Sequence, residues 1–157
     1  MHDRHLVAFG LDTQRFALFL SSVNRAERIA AVLPLPDAPD MVLGIINVHG
    51  CIVPVFDIRK RFKLPPRKLT LTDHILIAST VTMTVAIVVD EVFGVMDQKE
   101  TGIVDRKEIL NKKMNYIEGV VKLKDGMVLI HDINKFFSLE EEAVLKESIE
   151  KYSGRDD

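Results

Sequence analysis

The chain has 157 residues, 47% hydrophobic and 28% charged, with a formal net charge of −2, the size and composition of one domain able to bury a real core. The slight acidic surplus argues against nucleic acid as the main partner, because phosphate binding draws on a basic surplus. One cysteine excludes an internal disulfide framework and fits a reducing cytoplasm, and no apolar run approaches the ~20 residues that span a bilayer, so no membrane insertion is expected.

Met1–His5 is charged and lacks an apolar signal region. Leu6–Leu11 and Arg15–Leu20 are apolar runs around Asp12-Thr13-Gln14 and read as a hairpin. Pro34–Pro39 holds three prolines in six residues, which excludes a helix and suits a stiff crossing loop or strand. The strongest local signal is Gly44–Phe62, GIINVHGCIVPVFDIRKRF. Two β-branched runs flank His49-Gly50, Gly50 can take φ > 0, and a tight hairpin follows. Asp57 stands where the apolar run stops, as the N-cap of a short helical turn over Ile58–Phe62.

Lys63–Asp73 carries a Pro-Pro pair and no periodic face, and reads as a linker. Beyond it the chain repeats. Ile75–Thr80 and Thr84–Val89 match the first hairpin at a constant offset of 69, pairing Ala17 with Ala86 and Val23 with Val92. Gly119–Phe137 matches Gly44–Phe62 without a gap at an offset of 75, with Gly44/Gly119, Val53/Val128, Asp57/Asp132, Ile58/Ile133, Lys60/Lys135 and Phe62/Phe137 identical. Between these, Asp97–Asn115 is polar and is expected to loop, with one turn near Lys107–Leu110. Each half has only some 60 to 70 residues, so the two are expected to share apolar surface. Ser138-x-x-Glu141 is a capping-box pattern, and Leu145 and Ile149, with Val144 beside them, give the last helix an apolar stripe. The tail past Tyr152 is expected to fray.

The chain carries no Gly-rich phosphate loop, no paired Cys motif and no nucleophile elbow. Cys51 enters an apolar run and reads as a buried, inert thiol. Asp90-Glu91 follows a strand, where neighbours point to opposite faces, a poor geometry for a catalytic dyad. No enzyme activity, cofactor or metal is expected. Arg59, Lys60, Arg61, Lys63, Arg67 and Lys68 crowd a twelve-residue window whose only acid is Asp57. They read as a solvated face, the alternative being a docking surface for an acidic protein or membrane surface. Leu139–Asp157, with seven acids against three bases, reads as a soluble terminal helix.

From Leu6 to about Leu145 the chain resembles the CheW-type chemotaxis adaptor family. Its hallmark resembles G-x-(I/L)-N-(L/V)-R-G-x-(I/V)-(I/V)-P-(V/I)-(I/V/F)-D-L-R, here Gly44, Ile46-Asn47-Val48, Gly50 and Ile52-Val53-Pro54-Val55-Phe56-Asp57-Ile58-Arg59. A second signature resembling V-D-x-V-x-x-V appears as Val89-Asp90-Glu91-Val92-Phe93-Gly94-Val95. The resemblance implies a mostly β fold of two interlocked five-stranded SH3-like barrels about a pseudo-twofold, with short helices and a C-terminal helix. It implies one domain over residues 6–145, with a first subdomain about 6–62 plus linker, a second about 75–137 and a helix about 139–152. It further implies a cytoplasmic adaptor that couples methyl-accepting chemoreceptors to the regulatory domain of a CheA-type histidine kinase. The kinase is expected to meet sheet ends, and the receptor's helical tip an apolar groove between the barrels. Val23, Arg28, Gly44, Asn47 and Gly50 match positions on the family's interaction surface. Arg25 stands where the family usually has Glu, and His49 where it has Arg. An adaptor of a divergent, non-flagellar array, and a small β-barrel binding a ligand or nucleic acid, remain alternatives.

Overall fold

The computed structural model describes residues 5–29, 31–97, 103–105, 117–123, 126–135 and 139–154. Strands β1 to β3 run His5–Leu11, Gln14–Phe19 and Val23–Arg28, and β4 and β5 run Val42–Val48 and Cys51–Phe56. After helix α1 (Ile58–Arg61) come β6 (His74–Ser79), β7 (Thr84–Val89), β8 (Glu91–Asp97), β9 (Ile103–Asp105), β10 (Ile117–Leu123), β11 (Gly126–His131) and α2 (Leu139–Gly154). The central hairpin closes as expected. Val48 faces Cys51, and His49 and Gly50 take φ of +50° and +88°, the pair of positive angles that a type I′ turn needs. Asp57 caps α1 by accepting the Arg59 N–H at 3.1 Å, and its repeat mate Asp132 accepts the Asn134 N–H at 2.9 Å.

Two sheets form, in the orders β8-β1-β2-β11-β10-β9 and β3-β6-β7-β5-β4. Here the structure departs from the division of the sequence. The halves 6–62 and 75–137 do not each make a sheet; each half lends its first hairpin to the other's. The exchange obeys the repeat residue by residue. Val55 lies parallel to Ala86 in one sheet, and Ile130 lies parallel to Ala17 in the other, the same pair after shifts of 75 and 69. Bulges recur at matching places, between Val42 and Gly44 and between Ile117 and Gly119. The expected count of five strands holds for one sheet; the other gains a sixth, β9, within a stretch expected to loop. The turn expected near Lys107–Leu110 and the Ser138 cap lie outside the described residues.

Alternation along the exchanged hairpins explains their unbroken apolar sequences, because both of their faces are covered. Phe9, Phe16 and Leu18 from one sheet meet Leu76, Val85 and Ile87 from the other in one shared core. The opposite faces fill two smaller clusters, Ile75, Ile77 and Ala86 with Val53 and Val55, and Leu6 and Ala17 with Val121 and Ile130. Leu35 and Met41, in and after the proline-rich crossing, cover the shared core together with Leu145 of α2. Ile149 packs there too, whereas Val144 is exposed. Ser148 locks α2 to the crossing, its hydroxyl donating to the Asp37 carbonyl at 3.3 Å.

Exchanged hairpins make the linker dispensable for holding the halves together. A chain cut after Lys68 should run as one particle on size exclusion and melt in one transition, and either piece alone should be unfolded. Cooperative melting of an isolated piece by calorimetry would refute the exchange.

Candidate functional site

A buried guanidinium joins the two sheets. Arg59, on α1, is 5% exposed, because the helical turn after β5 aims it back at the β1–β2 turn. Its Nη2 donates to Asp12 at 2.9 Å and to both oxygens of Asp90 at 2.7 and 2.9 Å, while Nη1 donates to the Pro65 carbonyl at 3.1 Å. Asp12 also donates its backbone N–H to Asp90 at 2.7 Å. From the linker, Arg67 bridges Asp90 and the buried Asp73. The chain thus links the β1–β2 turn, α1, the β7–β8 junction and the start of β6. Hydrogen bonding to Asp12 outweighs burial and raises the Arg59 pKa, as bonding to Asp73 does for Arg67. Burial pushes the Asp90 carboxyl up, but the Asp12 N–H and the two guanidiniums together hold it below the usual carboxylate range. The repeat keeps the contact and changes its chemistry. Asn134, the mate of Arg59, accepts the backbone N–H of Val81, the mate of Asp12, at 2.7 Å.

The residues singled out in the sequence gather on the β3-to-β4 sheet. Val23, Arg25 and Arg28 lie on β3, at one end of the strand order, and Gly44, Asn47, His49 and Gly50 on β4 and its turn, at the other. Curling of the sheet brings these ends together. Glu27 Oε1 accepts from Arg25 Nη1 at 3.2 Å and lies 3.6 Å from His49 Nε2, so one carboxylate stands between the two positions that depart from the family pattern. Arg25 and His49 stay open, their side chains 47% and 69% exposed, and Arg28 is exposed beside them. Asn47 shapes the turn by accepting the Gly50 N–H at 2.8 Å. Val23 is half-buried against the shared core. Gly44 is buried with φ +154°, and a Cβ there would lie 2.2 Å from the Leu33 carbonyl oxygen.

Next to this rim an apolar groove of about 400 Å³ opens between the sheet and α2, with Ile52, Pro54, Ile77 and Met83 among its walls, Ile149 contributed by α2, and Arg25 at its edge. Pro54 explains the opening. It has no N–H to donate, and β5 pairs with β7 only at Val55 and Phe56. The equivalent strand β11, with Leu129 in place of Pro54, pairs with β2 over four residues.

Three sequence expectations fail here. Arg59 is buried, so the basic window is not one solvated face; the Asp partners that neutralise it lie 47 and 31 residues away. Cys51 is exposed, because the first residue after a two-residue turn projects past the core. Asp90, dismissed as half of a dyad, is the centre of the ion-pair chain. The 69-residue repeat was the one sequence clue to the clamp, since it aligns the Asp12 turn with the Val81 turn. Among the described residues no group of three His, Cys, Asp or Glu could hold a metal ion, and no helix is long and apolar enough to cross a membrane.

An interlocked pair of β subdomains whose exposed features are a hairpin tip and an adjoining groove, with no catalytic cluster among the described residues, defines a protein-binding module. The CheW-like domain model matches residues 5–141, and the chain belongs to that family, a family of chemotaxis scaffolds and adaptors. It is similar to the chemotaxis protein CheW of Rhizobium meliloti, 25% identical over 139 residues, covering 88% of this chain and 90% of that protein. Similarity to the chemotaxis protein CheW of Bacillus subtilis is 28% over 130 residues, 82% and 83% of the two chains. Among solved structures, the scaffolding protein TtCheW of Thermoanaerobacter tengcongensis matches with a TM-score of 0.79 and 25% identity, over 89% of this chain and 96% of that one.

The lowered Asp90 carboxyl has a signed consequence. Its contribution to stability is present above the unfolded value of about 3.9 and is lost as pH falls through the folded one. Asp90→Asn should cost about 2 kcal/mol at neutral pH by breaking partly buried charge-assisted bonds. The wild-type advantage should shrink in acid when urea midpoints are compared across pH. Gly44→Ala should cost on the order of 3 kcal/mol, strain and overpacking adding together, measured by urea unfolding.

Proposed function

We propose that this protein is a non-catalytic adaptor that couples methyl-accepting chemoreceptors to a CheA-type histidine kinase at receptor arrays on the cytoplasmic side of the membrane. The observation that carries the reading is one rigid sheet bearing two separate exposed surfaces, in a chain of the CheW-like family. Residues 6–145 act as one unit in it. The tip Asn47–Gly50 meets the kinase's regulatory domain, and the Pro54 groove takes a helix of the receptor tip. Both surfaces are built on strands whose inner faces fill the shared core, so a displacement at one is borne by the other. Gly44 contributes through the path of β4, being buried, while Val23 anchors the start of β3.

The kinase contact is tested at the turn. His49→Asn keeps a residue type that accepts positive φ and removes the imidazole. Titration calorimetry with a purified kinase regulatory domain should show affinity lowered about tenfold, which is about 1.4 kcal/mol, with the melting temperature unchanged. Undiminished affinity would move the kinase contact to another surface. Failure of the wild-type protein to bind either the kinase domain or a receptor-tip fragment would refute the adaptor reading.

A further inference from the structure

The internal repeat shows what the groove has room for. Phe93, on β8, is the mate of Asn24 on β3, and Gly10 is the mate of Ser79. In one sheet the Phe93 ring lies over Gly10, so close that a Cβ there would be 3.1 Å from the ring. In the other, Asn24 Nδ2 donates to Ser79 Oγ at 3.1 Å, and no ring of the chain's own covers the place. Asn24 instead forms part of the wall of the groove that Pro54 holds open. One sheet is therefore capped by a phenyl ring where the other has an empty site floored by Ile77 and Ile52.

The edge of that site is charged in one sense. Arg25 lines it, Arg28 stands two turns of the pleat further along β3, and Glu27 is the carboxylate between Arg25 and His49. Two guanidiniums around one carboxylate leave a cationic surplus. Arg25 makes a single ion pair among the described residues and is half exposed. A guanidinium has five N–H donors in a planar fork suited to carboxylates.

Resting on the adaptor reading, we propose that the groove selects a receptor helix of defined chemistry: a large apolar or aromatic side chain that fills the place equivalent to Phe93, flanked by a carboxylate that Arg25 binds. A helix with a basic residue at that point is rejected. Arg25 is thus a specificity residue, and Asn24 is what keeps the site vacant for the partner's ring.

The test uses the full-length protein and an immobilised cytoplasmic hairpin-tip fragment of a methyl-accepting receptor from the source cell, with melting temperatures measured in parallel. Arg25→Glu should weaken binding about tenfold or more and Arg25→Lys only slightly, and added salt should weaken the wild type. Asn24→Phe should plug the groove with the chain's own ring and weaken binding to a similar degree. Should that variant melt early, Ile52→Asp, at an exposed position, replaces it. Wild-type binding that Arg25→Glu leaves unchanged or tightens overturns the charge assignment, and binding indifferent to both Asn24→Phe and Ile52→Asp overturns the groove, while the adaptor reading stands in either case. A wild type that binds neither receptor fragment nor kinase domain overturns both.

Discussion

Arg59 is the one group in contact with every part of the interlock. A buried guanidinium cannot shed its charge, so carboxylates must converge on it from wherever the chain can supply them. Asp12 comes from a turn of the six-stranded sheet and Asp90 from the junction where the chain leaves one sheet for the other. Their convergence fixes how the two sheets are set, and the shared apolar core then has one arrangement to fill. Apolar packing supplies most of the stabilisation, being non-directional and proportional to area. The ion pairs supply direction. Acid weakens the clamp from its carboxylates, because neither guanidinium titrates in the accessible range.

The repeat makes plain why one half of the molecule needs this and the other does not. Asn134 makes the equivalent reach to the β6–β7 turn with a neutral amide and a backbone N–H. No charge is buried there, and no chain of counter-ions is required. The structure is symmetric in backbone and asymmetric in chemistry.

Local structure was legible where a residue type admits few conformations. The His49-Gly50 turn, the Asp57 cap, the Leu145–Ile149 stripe and the proline-rich crossing all follow from sterics or periodicity within a few residues. Exchange of the hairpins was not legible, because pairing within a half and pairing between halves demand the same alternation of side chains in the same strands. Burial of Arg59 was hidden for a related reason: its partners are distant in sequence, and its neighbours Lys60, Lys63 and Lys68 are exposed, as a solvated face would be. Of the candidate site, the turn residues and β3 could be named from the sequence. The groove could not, since it arises from what Pro54 and Asn24 leave out.

Hairpin exchange also bears on ancestry. A chain carrying a single copy of the repeat would have no strands of its own beside its first hairpin, and an open sheet edge is an invitation to pair with another molecule. Two such chains would complete each other as a symmetric dimer, each donating the hairpin the other lacks. Joining them through Lys63–Asp73 makes that partnership permanent and independent of concentration. It also releases the copies from having to stay alike, so that one could keep its ring and full strand pairing while the other gave them up to make room for a guest.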